Sequence, residues 1–179
     1  MSLKRIRLVT RLRWFGRLVS VALTLASAAL VPLCHAEMGE KRVVHLYFAD
    51  ANKPFLVGEP RVMVDTGDPL TFGRQLVREL ITGPTNDNLA TIPKGTQLRA
   101  LFLLDDKTAV VDFSHHFLEN HPGSCRLEQL TLFSVVNSLA LNIAEIERVK
   151  LLVNGVESQT LAGHVPLEFP LTADLLLTR

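Results

Sequence analysis

The densest group of side chains able to do chemistry lies in the middle of the chain, within the ten residues 112–121. It combines carboxylates, one hydroxyl and three imidazoles: Asp112, Ser114, His115, His116, Glu119 and His121. These residue types can bind a metal ion, or they can supply the nucleophile and base of a hydrolase. This segment is therefore the first candidate for a catalytic or metal-binding site.

The histidines are poorly spaced for metal binding. Neighbouring residues of an extended segment point to opposite faces, so His115 and His116 would not chelate one ion together without a turn. The sequence contains neither an H-E-x-x-H nor a C-x-x-C pattern that would support a metal site at these histidines. We therefore expect no metal site and no cofactor.

A hydrolase built on Asp112, Ser114 and His115 is the alternative function. The sequence has no G-x-S-x-G elbow, and no pattern in it predicts an oxyanion hole. A hydroxyl and a carboxylate at the end of a strand are also well suited to accept backbone N–H groups of a turn. We interpret Asp112 and Ser114 as members of a structural turn, and we expect the protein not to be an enzyme.

The elements around this segment are a hairpin and a helix. Two apolar runs, Gln97–Leu104 and Thr108–Phe113, are separated by a polar Asp-Asp-Lys turn, which predicts a β-hairpin. Pro122 and Gly123 then interrupt the chain, and Ser124 can cap a helix that runs from about Cys125 to Ile143. The candidate residues thus lie between a strand and a helix.

Small uncharged residues recur at helical spacing along that helix, opposite its apolar face. They are Thr131, Ser134, Ser138 and Asn142. Such a stripe is either the partly covered back of a helix or an exposed surface that two proteins can share without desolvating a charge. We take it as the first candidate interaction surface.

A second hairpin follows the helix. Strand Arg148–Val153 and the returning segment Val156–Leu161 flank Asn154-Gly155, a pair typical of a type I′ turn. The returning segment contains no Pro or Lys that would protect it from pairing with another strand. Gln159, in this segment, marks the second candidate interaction surface.

The first part of the folded region begins with two strands. The alternation of Lys41–Phe48 predicts one, and Leu56–Val64 predicts the other. Pro60 lacks an N–H group, so the second strand should lie at an edge. We expect Glu59 and Arg61 in this strand to be solvated.

A helix follows these strands, with Asp68 as its N-cap, Pro69 as its first residue and Gly83 at its end. The complete order is ββαββαββ. It predicts an α+β fold of two layers, with a mainly antiparallel or mixed sheet and two helices on one face.

The N-terminus predicts export. Six basic residues without an acid precede the uncharged run Leu18–Leu33, and Cys34-His35-Ala36 follows it. This pattern is typical of a signal peptide over residues 1–36, cleaved after Ala36. A retained membrane anchor and lipidation at Cys34 are the alternatives. We expect one domain over 37–170, a short tail over 171–179, and a location in the periplasm or on the outer face of the cytoplasmic membrane.

Net charge and cysteine content limit which partners and which covalent links this protein can have. Residues 1–36 contain six of the 19 basic residues and none of the 18 acidic ones, so the remaining chain carries a formal charge of −5. Without a basic stripe, a nucleic-acid partner is not expected. After cleavage at Ala36, Cys125 is the one remaining cysteine, so no internal disulfide can form; we expect it to be packed under the helix rather than reactive.

Several short motifs together resemble a known family. In chain order they are Leu46-Tyr47-Phe48, Arg78-Glu79-Leu80 with Gly83-Pro84, Ile92-Pro93-Lys94-Gly95-Thr96, Val111-Asp112-Phe113-Ser114 and Val153-Asn154-Gly155. Their order and spacing are similar to the GerMN domain, named after the spore germination and sporulation protein GerM. The resemblance covers about Val43 to Val165, in a single copy where GerM has two.

The resemblance implies an envelope-located, sporulation-like assembly module without a cofactor or catalytic residues. Together with the residues above, it leads us to expect a docking function. The expected partner is an envelope protein, a second copy of this chain or peptidoglycan, with membrane contact only if the leader is retained.

Overall fold

Two β-sheets and two long helices account for the fold of residues 39–179, which are the residues that the computed structural model describes. The leader expected over 1–36, with its candidate lipidation site Cys34, lies outside the described residues.

The first sheet is a two-stranded antiparallel ribbon of β1 (Glu40–Ala49) and β2 (Leu56–Asp65). Its register runs from Glu40 opposite Asp65 to Ala49 opposite Leu56. Alternation along β1 buries Val44, Leu46 and Phe48 against the core, as the sequence period predicts. This ribbon forms a sheet of its own and does not join the remaining strands.

Helix α1 (Pro69–Thr82) begins and ends as its sequence predicts. The Asp68 carboxylate accepts the N–H groups of Leu70 and Thr71 at 3.4 and 2.9 Å. At the other end, Gly83 has a φ of 98°, a value that favours glycine.

The second sheet has five strands: β3 (Leu98–Leu103), β4 (Thr108–Phe113), β5 (Arg148–Val153), β6 (Val156–Glu157) and β7 (Leu171–Thr172). The first four lie in that order, and β7 pairs with β5. Strands β4 and β5 are parallel, and the other pairs are antiparallel. The sheet is therefore mixed, and the α+β prediction is confirmed.

A short helix, α2 (His116–Glu119), precedes the long helix α3 (Cys125–Ala140). Ser124 caps α3 by accepting the N–H of Leu127 at 3.1 Å. Helix α3 contacts α1, β1 and β5, so it packs against both sheets. The largest fully buried side chains of the core are Phe48, Phe72, Phe113, Phe117, Leu46, Leu56, Leu76, Leu80, Leu101, Leu132, Leu139 and Ile146.

Glu59 on β2 is buried, so the prediction of a solvated side chain is wrong. Its carboxylate accepts hydrogen bonds from the Thr85 hydroxyl at 2.6 Å and from Arg61 Nε at 2.9 Å. Arg61 also donates to Glu79 at 2.8 Å and to the Gly83 carbonyl at 2.7 Å. Burial acts to raise the pKa of Glu59, but the hydrogen bonds from Thr85 and Arg61 outweigh it and lower the pKa. The ion pair thereby ties β2 to the end of α1.

The C-terminal tail lies on the domain. After β7, a 3₁₀ turn (Leu175–Leu177) buries Leu177 and leaves Leu175 and Leu176 exposed. The Asn137 side chain on α3 exchanges two 3.0 Å hydrogen bonds with the backbone of Asp174. The final residue donates its N–H to the Leu56 carbonyl at 3.0 Å.

Candidate interaction surface

Asp112 fixes the last hairpin to the central one. Its carboxylate accepts the N–H of Gly155 at 2.7 Å and lies 3.4 Å from Arg99 Nε. Arg99 also donates to the Asn154 side chain at 2.6 Å. Asn154 and Gly155 have φ values of 55° and 77°, as a type I′ turn requires. This arrangement holds a turn in place, as the structural interpretation of Asp112 expects.

Ser114 is likewise bonded to backbone. It is buried, and its Oγ accepts the N–H of Gln97 at 3.0 Å. Its own N–H donates to the Gln97 carbonyl at 2.9 Å, which closes the open end of the β3–β4 hairpin. Both the hydroxyl and the backbone of Ser114 therefore terminate a hairpin.

The three histidines separate into a pair and a single residue. His115 is the N-cap of α2 and has helical φ and ψ, so the chain turns there. The centroids of the His115 and His116 rings lie 3.9 Å apart, so this turn brings together two side chains that an extended segment would separate. His121 lies apart from this pair, bonded to Thr131 Oγ1 at 3.3 Å and to Gly123 N at 3.2 Å. Burial lowers the pKa of His121.

Among the described residues, no three His, Cys, Asp or Glu side chains are grouped as metal ligands. No helix within residues 39–179 is long and apolar enough to cross a membrane.

The stripe on α3 is covered by β1, so its interpretation as an exposed surface is wrong. Thr131, Ser134 and Ser138 are buried, and Asn142 is half-buried. Ser134 Oγ donates to the Tyr47 carbonyl at 2.6 Å, and Ser138 Oγ accepts the Tyr47 N–H at 3.0 Å. The small side chains allow the helix to approach the strand closely enough for these bonds.

The other stripe residues extend the same contact. Thr131 Oγ1 donates to the Thr91 carbonyl at 2.7 Å, and the hydroxyls of Thr91 and Ser134 lie 2.6 Å apart. Asn142 bonds to the backbone of His45. Side chains of α3, and of Asn142 two residues beyond its end, thus satisfy the edge of β1, where a sheet would use another strand.

Gln159 is exposed, but it does not lie in a strand. The returning strand β6 spans Val156–Glu157 only, so the prediction of a strand reaching Leu161 is wrong. The Gln159 carbonyl accepts the N–H of Leu167 at 2.8 Å and closes a loop instead. The edge expected to accept a partner strand is therefore only two residues long.

A buried carboxylate that the sequence analysis missed holds this loop. Glu128 on α3 accepts the N–H groups of Leu161, Ala162 and His164 at 2.8–2.9 Å, and its Oε2 lies 2.9 Å from His164 Nδ1. Burial acts to raise the pKa of Glu128, but these donors outweigh it and lower the pKa. In the sequence, Glu128 resembles an ordinary acidic residue in the first turn of a helix.

Cys125, at the start of α3, is a free and exposed cysteine. The prediction that it packs under the helix is therefore wrong.

The outer face of the β1–β2 ribbon exposes a row of β-branched side chains. Val43 and Val62 lie directly opposite each other in the register and are 59% and 67% exposed. Val64, two residues along the same strand, is 45% exposed. We call Val43, Val62 and Val64 the valine face. The period-2 pattern of both strands was visible in the sequence, but which face the helices cover was not.

The sequence profile of the family described as "Germane: Sporulation and spore germination" matches residues 45–159. No match was found among curated proteins.

Three solved structures are similar to this chain. The first GerMN domain of the sporulation protein GerM from Bacillus subtilis is 23% identical, with a TM-score of 0.59, over 73% of this chain and 97% of that one. The tandem GerMN domains of the same protein are 25% identical, with a TM-score of 0.57, over 74% of this chain and 46% of that one. A putative lipoprotein from Clostridium perfringens is 23% identical, with a TM-score of 0.53, over 74% of this chain and 87% of that one.

The family profile covers most of the described residues, from β1 to the loop after β6, and the solved GerMN domains share the α+β fold. The chain therefore belongs to the Germane family, a family of sporulation and spore germination domains of the GerMN type.

Proposed function

We propose that this protein is an exported envelope module that acts by docking on a protein partner through the β1–β2 ribbon. The observation that carries the proposal is the valine face. Three neighbouring β-branched side chains are left in solvent on one face of a two-stranded sheet. Contiguous exposed apolar side chains of this kind mark interaction sites.

The hydrogen bonds of the polar side chains in the other candidate sites support the same proposal. The side chains of Asp112 and Ser114 bond to backbone groups that close hairpins. Those of Ser134 and Ser138 bond to the edge of β1. Each of these groups already has a partner that stabilises the fold, whereas the valine face is left exposed by the rest of residues 39–179.

Two further observations support a location outside the cytoplasmic membrane. The N-terminus has the basic and apolar pattern of a signal peptide that ends at Ala36. The similar solved structures include one described as a putative lipoprotein and one described as a sporulation protein. An exported docking module is consistent with both descriptions.

Fractionation and cross-linking test the two parts of the proposal. N-terminal sequencing of the protein from the envelope fraction should begin at Glu37; an intact leader would mean an anchor, and a protein confined to the cytoplasm would contradict export. Chemical cross-linking of whole cells should place the chain in a complex larger than the monomer. A chain that stays monomeric in cross-linked envelopes would contradict docking.

A further inference from the structure

The backbone of β2 presents a free edge that can be deduced from the bonds of β1. The N–H and C=O groups of His45, Tyr47 and Ala49 bond to Asn142, to two serines of α3 and to Leu89, respectively, away from β2. Because backbone groups alternate along an antiparallel strand, the intervening residues of β1 bond to β2. Their partners there are Val57, Glu59 and Arg61.

The other residues of β2 therefore direct their backbone groups to the outer edge. They are Gly58, Pro60, Val62 and Val64. Pro60 has no N–H, so the stretch able to exchange a full set of hydrogen bonds is the one that includes Val62 and Val64. Each of these two valines offers one donor and one acceptor. Within residues 39–179, no backbone hydrogen bond from another segment reaches them.

The protein's own tail already uses this edge at its other end. Thr178 forms an isolated parallel bridge with Leu56, and Arg179 donates its N–H to the Leu56 carbonyl at 3.0 Å. The outer edge of β2 thus accepts an extended segment in the folded protein. Beyond Leu56 the edge continues without such a segment among the described residues.

A groove runs beside the free part of the edge. It has a volume of about 400 Å³ and lies between Arg61–Val64 of β2 and the side chains of Gln75, Arg78 and Glu79 on α1. Extended peptides bind to exposed sheet edges of this kind as an added strand, with their alternate side chains in adjoining pockets.

One positive charge of this groove has no acidic partner. Arg61 is shared by two carboxylates, those of Glu59 and Glu79, through ion pairs of 2.8 Å each. Arg78 is exposed, and no carboxylate among the described residues pairs with it. A segment in the groove would therefore gain from a carboxylate placed opposite Arg78.

We propose that β2 binds an extended segment of a partner protein as an added strand along Val62–Val64, with an acidic residue of that segment facing Arg78. This deepens the proposed docking function and rests on it. The backbone groups of the two valines hold the added strand by hydrogen bonds. Alternate side chains of the bound segment extend the valine face. Pro60, which lacks an N–H, limits the length of the added strand.

Site-specific photo-cross-linking in cells tests this proposal. Benzoylphenylalanine replaces Gln75, on the α1 wall of the groove, in the full chain, and a second chain carries it at exposed Glu145 as a position control. After irradiation, the cross-linked segment is identified by mass spectrometry. We expect Gln75 to capture one contiguous segment of a different protein, and Glu145 not to capture it.

Two substitutions at one position separate backbone from side-chain recognition. Val62→Pro removes an N–H group on the outer edge of β2. It leaves the hydrogen bonds between β2 and β1 intact, since Pro60 already occupies an equivalent outward-facing position of the strand. Val62→Ala is the matched control, because it keeps the N–H. Strand addition predicts that the cross-link yield falls about tenfold for Val62→Pro and much less for Val62→Ala. Arg78→Glu should lower the yield as well, and it carries the test if Val62→Pro fails to fold.

The other outcomes separate the two proposals. Strand addition would be overturned if Val62→Pro and Val62→Ala lowered the cross-link yield equally. It would also be overturned if benzoylphenylalanine captured a partner from position Val43 but not from Gln75. The docking function would stand in both cases. Capture of a second copy of this chain at Gln75 would overturn the partner segment as the occupant. If no position captures any protein and the chain is monomeric in the envelope, the proposed docking function fails as well.

Discussion

Asn142 and His45 are 97 residues apart in sequence, yet they bond to each other as two paired strand residues would. The Asn142 amide donates to the His45 carbonyl at 2.8 Å and accepts the His45 N–H at 3.0 Å. Ser138 and Ser134 repeat the pattern at Tyr47 with one hydroxyl each. Helix α3 and Asn142, two residues beyond its end, therefore occupy the place of a third strand beside β1. Among residues 39–179, no segment pairs with the outer edge of β2 beyond Leu56.

This relationship predicts a cost for losing one hydroxyl. Ser138→Ala leaves the N–H of Tyr47 without its acceptor in a covered position, so the free energy of unfolding should fall by about 1–3 kcal/mol. Urea denaturation followed by circular dichroism measures this change. Ser158→Ala, in the loop after β6, is the control and should change stability by less than about 0.5 kcal/mol. Equal stabilities of the two variants would show that α3 does not satisfy the edge of β1.

A charge within the stripe should be far more damaging. Ser134 is fully buried beside Tyr47 and Thr91, so Ser134→Lys forces an ammonium group into a closed contact. We expect a loss of at least about 3 kcal/mol, measured as a lower denaturation midpoint or as failure to fold. A variant as stable as the wild type would mean that the stripe is exposed, as the sequence alone allowed.

The central turn should contribute to stability and not to a reaction. Ser114→Ala removes the acceptor for the Gln97 N–H, and Asp112→Ala removes the acceptor for the Gly155 N–H. Each should lower the free energy of unfolding by about 1–3 kcal/mol. Complexes formed by the folded variants in the envelope should persist. Loss of biological function with unchanged stability would instead favour the hydrolase that uses Asp112, Ser114 and His115.

Local chemistry made much of the fold predictable. Asp68, Ser124 and Gly83 delimit helices through contacts with residues at most four positions away, and Asn154-Gly155 specifies its own turn. The observed bounds of β1, β2 and α1 agree with the bounds predicted from the sequence to within one or two residues.

The candidate surfaces were not predictable in the same way. What covers the α3 stripe is β1, about 90 residues away, and uncharged side chains are equally compatible with burial and exposure. Glu59 and Glu128 are buried acids that accept hydrogen bonds from distant loops, from Thr85 and from Leu161 respectively. Their spacing in the sequence is that of ordinary surface residues, so only the assembled fold identifies them as anchors.

Glu128 predicts how stability depends on pH. Its pKa in the folded protein is lowered, because the N–H groups of the 161–165 loop outweigh the effect of burial. The unfolded chain therefore binds a proton more readily, and the contribution of Glu128 is complete above its unfolded pKa, about 4.3. It is lost as the pH falls through the lower folded value.

Urea midpoints measured from pH 7 to pH 3 test this prediction. Glu128→Gln should be less stable than the wild type at pH 7, and its stability should fall less steeply below about pH 4.3. Some acid sensitivity should remain, because the pKa of Glu59 is lowered too. Glu145→Gln, at an exposed position, should follow the wild-type curve. If Glu128→Gln keeps the full wild-type slope, the 161–165 loop is not held by a carboxylate.

The most direct test of docking through the valine face is the native mass of the chain in cross-linked envelopes, compared between matched variants. Val43→Lys with Val62→Lys charges the face, and Val156→Lys charges a valine of similar exposure on β6. We predict that the double variant is found at monomer mass with nearly unchanged thermal stability, whereas Val156→Lys and Ser114→Ala remain in the larger complex. A double variant that stays in the complex, with Ser114→Ala released from it, would contradict this account.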